Sequence, residues 1–138
     1  MGTLTFVDET TSGDRSQAWG LAITEERLAL REVIRRRVFQ EVAEHNARLT
    51  GGSAEQAPTV FRGLVQPADT EPTPGGYALP ERRRIDPEKQ CASALHAFAR
   101  NGFVVLVGDR QMEDLDTEIE LSAGTEVTFL KLVPLVGG

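Results

Sequence analysis

Period-two apolar segments stand at both ends of this chain, and they limit its possible folds more than anything else in it. Thr3–Asp8 alternates with Leu4 and Phe6 on one side, and Trp19, Leu21 and Ile23 resume the period after the turn signal Ser12-Gly13-Asp14. At the far end, Thr125–Leu132 places Val127 and Phe129 on one face. Backbone N–H and C=O groups must find partners once buried, so both end segments need neighbours in a sheet. The first two read as an antiparallel hairpin closed by the polar Glu9–Ser16. With helical sequence between the ends, the result is an α+β fold: a mixed sheet with helices packed on it. A parallel dinucleotide-binding sheet is poorly supported, with too few strand–helix repeats and no G-x-G-x-x-G.

The clearest helix starts at Leu30. Leu30, Ile34, Val38 and Val42 recur every fourth residue, widened by Val33 and Phe39, and the stop signals from Asn46 to Gly51-Gly52 predict an end near Ala47–Leu49. The opposite face carries Arg31, Glu32, Arg35, Arg36, Gln40, Glu41 and Glu44, with Arg37 and Glu41 as an i,i+4 pair in the less favourable order. Leu28 is expected to be buried on the way in. Residues 50–85 are punctuated by Gly and Pro and read as an insertion. Loops are expected at 50–58 and 67–76, Phe61, Leu64 and Val65 as its pins to the core, and Glu81–Arg84 as surface.

Asp86-Pro87 predicts a second helix start, with the apolar stripe Cys91, Leu95 and Phe98 and Gly102 as the C′ residue after Asn101. Phe103–Val107 is apolar throughout, as a central strand covered on both faces would be. Gly108-Asp109 and Ala123-Gly124 are turns, and Leu115, Ile119 and Leu121 mark a short or edge strand.

Composition narrows the function classes. The chain has 138 residues, 40% hydrophobic and 26% charged, which suits a single domain spanning 1–138. A formal charge of -6 disfavours nucleic acid and anionic membranes as partners. No apolar run approaches the ~20 residues that span a bilayer, and no secretory pattern opens the chain, so a cytoplasmic location is expected. Cys91 is the only cysteine, which rules out an internal disulfide. With His45 on a polar helix face and His96 near the second helix's stripe, no metal site and no cofactor site is indicated. Cys91 reads as a small buried hydrophobe rather than a nucleophile, and Trp19 as cover at the core edge. The Arg31–Arg37 cluster and the acidic run Glu113, Asp114, Asp116, Glu118 and Glu120 read as solvated faces.

The tail Val133-Pro134-Leu135-Val136-Gly137-Gly138 follows directly on the last strand. Together with the hairpin, the helix from Leu30 and the segment Leu121–Phe129, it resembles the β-grasp superfamily, which holds ubiquitin and the bacterial sulfur carriers. The tail is most similar to the molybdopterin-synthase small subunit. Where that group places Gly-Asp-x-Val before the last strand, this chain has Gly124-Thr125-Glu126-Val127. The insertion and second helix exceed a minimal domain, which points to a distinct bacterial ubiquitin-like family.

The resemblance implies a mixed sheet around the long helix and a non-enzymatic protein. An E1-like enzyme would adenylate its Gly138 carboxylate for conjugation or sulfur transfer. An E2-like protein or a JAB-type metallopeptidase are further partners it suggests. Gly137 and Gly138 allow close approach in a narrow channel. Pro134 restrains the tail, Leu135 and Val136 add apolar contact, and Phe129, Leu130 and Leu132 are the expected partner-facing positions of the sheet. Lys89 and Lys131 are the only lysines, which constrains chain formation on this protein. The alternative is a non-conjugated β-grasp binding module or assembly subunit whose tail merely docks into a partner.

Overall fold

The computed structural model describes residues 2–11, 19–51, 60–61, 63–68, 70–73, 76–79, 84–121 and 125–131. The chain falls into two compact units, Met1–Val33 with Ala97–Gly138, and Ile34–His96. It is α+β, with a mixed sheet and two helices.

In the first unit, β1 (Gly2–Thr10) pairs antiparallel with β2 (Trp19–Ile23), as the alternation predicts. The short β3 (Arg27–Ala29) carries Leu28 into a buried position and leads straight into α1 (Leu30–Gly51). Among the described residues no side chain caps the start of this helix. Its first orphan donors are taken instead by carbonyls of the first unit: Leu30 N–H bonds Thr117 O and Arg31 N–H bonds Leu115 O, both at 2.9 Å. After α2 (Pro87–Ala99) come β7 (Phe103–Val107), β8 (Arg110–Met112), β9 (Glu118–Glu120) and β10 (Thr125–Lys131). The five-stranded sheet runs β2-β1-β10-β7-β8, with β1 and β10 parallel at its middle and every other pair antiparallel. β3 and β9 form a separate antiparallel pair.

Register explains the interior of this unit. Phe6 lies opposite Val127 and Val105 opposite Phe129, so the apolar residues of three strands share one face. Phe6, Phe129, Phe103 and Phe98 form a chain of tilted rings with centroids 5.8, 6.0 and 5.9 Å apart. β7 is not covered on both faces: Phe103 and Val105 are buried, but Val104 and Leu106 are half-exposed. An unbroken apolar run therefore did not mean a two-sided burial. Gly108, at φ 60, opens the two-residue loop between β7 and β8, a place where a side chain would be strained.

In the second unit, Ile34, Val38 and Val42 are buried to within 1% of full, as their spacing predicts, while Phe39 is half-buried under Arg35, whose guanidinium sits 4.4 Å above its ring. α1 runs on to Gly51, beyond the expected end. Asn46, read as a stop signal, instead spends its side-chain amide on both backbone groups of Ile85, each at 3.0 Å. The insertion is not all loop. β4 (Val60–Phe61), β5 (Glu71–Thr73) and β6 (Gly76–Ala78) make a small antiparallel sheet in the order β4-β6-β5, with β5 and the first residue of β6 inside the span expected to be loop at 67–76. Phe61, Leu64 and Val65 are buried as expected, and Arg84 is exposed. Residues 52–58 of the first expected loop lie outside the described residues.

α2 starts as predicted. Asp86 Oδ1 accepts from Glu88 N–H at 2.9 Å, and Pro87 fills the first helical position. At the other end the left-handed residue is Asn101, at φ 61, not Gly102. Asn101 N–H bonds Phe98 O, and Gly102 N–H bonds Ala97 O at 2.7 Å, so asparagine takes the C′ place and glycine the position after it. The buried positions of α2 are Gln90, Cys91 and Ala94; Leu95 and Phe98 of the expected stripe are half-buried.

Candidate functional site

The residues expected to carry function cluster on and after β10. Its backbone is held on both sides to its last described residue: Lys131 lies opposite Thr10 of β1 and Phe103 of β7, and Thr11 N–H donates to Lys131 O at 3.1 Å. At its entry Thr125 Oγ1 donates to Glu120 O at 3.2 Å. The segment that follows therefore departs from a strand anchored on both edges. Leu132, Pro134, Leu135, Val136, Gly137 and Gly138 lie outside the described residues, as do Ser12-Gly13-Asp14, Ala123-Gly124 and the side chain of Trp19.

Of the expected partner-facing positions, Phe129 is fully buried between Phe6 and Phe103 and packs the unit's interior instead of its surface. The alternation of β10 forces this, because Val127 and Phe129 share the buried face. Leu130 points the other way. It is half-exposed and lies opposite the half-exposed Val104.

The acidic run is exposed throughout, as a solvated face, and part of it is paired. Asp116 pairs with Arg31 at 2.8 Å and Glu120 with Arg27 at 3.3 Å, while Asp114 accepts the Asp116 N–H at 2.8 Å. Lys89 is exposed in the first turn of α2, His96 is exposed, and Cys91 is buried and in no disulfide. Among the described residues no three His, Cys, Asp or Glu side chains stand together as a metal-holding group, and no helix is long and apolar enough to cross a membrane.

A second constellation lies in the other unit. Arg37 is 2% exposed and His45 5%, although both were assigned to the polar side of the helix. Arg37 Nε donates to Glu41 Oε1 at 2.5 Å, and Glu41 Oε2 accepts the Leu64 N–H at 2.9 Å. His45 meets Phe61 edge-on, with centroids 5.4 Å apart and planes at 88°. The hydroxyl of Tyr77 is pushed above its ordinary value of 10.0, first by burial and then by the Glu41 carboxylate. Gly63 makes this approach possible: a Cβ there would overlap the Phe61 ring and come within 2.7 Å of Glu41 Oε2. Arg37, Glu41 and His45 recur every fourth residue beside the apolar row Ile34, Val38 and Val42. That repeat was the available signal that the buried arc of α1 is wider than its apolar stripe. The cluster is a polar latch, fixing the 63–65 turn to α1 by a carboxylate bound at both oxygens.

No protein-family model matches this chain, and no curated protein or solved structure does either.

Proposed function

We propose that this chain is a ubiquitin-like protein of the β-grasp kind. Its Gly138 carboxylate, whether already terminal or freed by cleavage after it, is adenylated by an E1-like enzyme for conjugation or sulfur transfer. Support comes above all from the sheet: an N-terminal hairpin followed by a helix, with β10 returning to lie parallel beside β1 at the middle. In that arrangement β10, the strand that precedes the tail, stands at the sheet's centre. The 132–138 segment spans at most ~25 Å when extended, enough to enter a partner's channel while the sheet stays outside.

The chemistry divides cleanly. A carboxylate oxygen of Gly138 attacks the α-phosphorus of ATP, forming a new P–O bond as pyrophosphate leaves. A thiol, sulfide or amine then adds to the acyl carbon, and AMP departs with the electron pair of the broken C–O bond. The activating enzyme supplies the cations that stabilise the phosphate charge, and this chain supplies only the acyl group. ATP dependence fits a cytoplasmic setting, and E2-like or JAB-type proteins are the natural downstream partners.

The test is incubation with each E1-like enzyme of the source organism, ATP and magnesium, followed by intact-mass measurement. An ATP-dependent adenylate, thioester or thiocarboxylate is expected on the full chain and not on one lacking Gly138. Absence of any adduct with every activator, or an equal adduct on the shortened chain, overturns the proposal and favours the non-conjugated binding module.

A further inference from the structure

At the C-terminal end of α2, polar side chains without partners surround an aromatic floor. A cavity of about 210 Å³ is lined by Phe98, Phe103 and Met112 together with Asn101, Gln111 and Glu113. Among the described residues, the side chains of Asn101, Gln111 and Glu113 form no hydrogen bond or ion pair. Asp114, Asp116 and Glu120 of the same acidic run are engaged, whereas, among the described residues, Glu113 and Glu118 are not.

Glu113 is the one ionised side chain that lines the cavity. It contributes a carboxylate, and the amides of Asn101 and Gln111 can each turn an oxygen inward. Ala99 also lines the space, at the end of a helix whose last carbonyls carry partial negative charge. The capping bonds at Asn101 and Gly102 engage the carbonyls of Phe98 and Ala97 but not that of Ala99. Phe98 and Phe103, tilted at 55° with centroids 5.9 Å apart, form a wedge of π-surface that attracts cations and excludes anions. Neither Arg100 nor Arg110 lines the cavity. Its volume lies below the roughly 300–1,000 Å³ of pockets for larger ligands, and suits a group the size of one side chain.

The geometry points to a binding site for an organic cation on a short apolar stem, an alkylammonium or alkylguanidinium. Such a group comes either from a lysine or arginine side chain of a protein or from a free amine. The site is independent of the tail and of its proposed activation.

The test is a titration of the full ¹⁵N-labelled chain with n-butylammonium, n-butylguanidinium and, as the neutral counterpart, n-butanol. Saturable shifts of the Asn101 and Gln111 side-chain amides are expected with the cations and not with butanol. Glu113→Gln should weaken binding roughly fivefold, the loss of one exposed charge contact, and Gln111→Glu should tighten it by a similar factor. Both positions are exposed, so an otherwise unchanged spectrum will report an intact fold. A capped peptide carrying one lysine separates the sources: binding at least as tight as butylammonium identifies a protein side chain, and weaker binding a free amine. Equal shifts from butanol, no saturable shift, or affinities unmoved by both substitutions overturn the site.

Discussion

Replacing Glu41 by alanine should be among the most damaging single changes in the second unit. The Arg37 and Glu41 side chains are 3% and 9% exposed, so the pair is shielded from solvent. Removing one member of a buried ion pair costs about 3–5 kcal/mol, because the remaining charge loses its nearest counter-ion. The same carboxylate accepts the Leu64 N–H, and a buried donor stripped of its acceptor costs about 1–3 kcal/mol. The two penalties share one group and overlap, so a total near 3–5 kcal/mol is expected. That is a large part of the roughly 5–15 kcal/mol that a domain possesses. Urea unfolding followed by circular dichroism measures it.

Two comparisons sharpen the test. Arg27→Ala removes a pair whose members are 62% and 75% exposed, and should cost at most about 1 kcal/mol. The double variant Arg37→Met with Glu41→Leu removes both charges and should recover most of the loss. It retains about 1–3 kcal/mol of destabilisation from the orphaned Leu64 N–H. A Glu41→Ala cost no larger than that of Arg27→Ala would refute the latch.

Two further outcomes follow from packing and charge. Tyr77 is the chain's only tyrosine, so tyrosinate absorbance reports it alone, and its midpoint should lie higher in the native than in the urea-unfolded chain. Because the folded-state value is raised, this group's stabilising contribution is full below about pH 10 and fades as pH climbs through the folded-state value. Glu41→Gln should bring the native midpoint down only part of the way, since burial is the larger cause; a midpoint equal to that of the unfolded chain would refute this. Phe129→Ala should cost about 3–5 kcal/mol in the same urea assay, because the ring is fully buried. Leu130→Ala, on the half-exposed face, should cost distinctly less, and the reverse order would overturn the assigned register of β10.

The strands at both ends, the start of α2 and the row Ile34, Val38 and Val42 were legible because local rules produce them: period two, an aspartate–proline start and a four-residue repeat. What failed to read locally was whatever depends on a distant neighbour. α1 begins without a cap because its donors bond carbonyls in a turn more than 80 residues away in sequence, Leu115 and Thr117. Arg37 and His45 looked like solvent residues, since a side chain's polarity does not reveal that Glu41 will pair with the one and Phe61 pack on the other. The β4–β6 sheet was missed because its strands are two or three residues long and interrupted by Gly and Pro. The residues around the cation cavity come from three places, the end of α2, β7 and the β8 stretch, and no sequence spacing joins them.

By itself, then, the order of residues decided which segments alternate, which repeat every fourth position and where α2 begins, because backbone geometry and local capping impose those patterns on any chain. Tertiary structure decided which strand stands beside which, and placed β10 between β1 and β7. It also decided that Glu41 is a buried anchor while Glu113 faces an open cavity. Those outcomes rest on solvent exclusion and pairing between residues far apart in sequence, and a carboxylate carries no mark of either until its neighbours are in place.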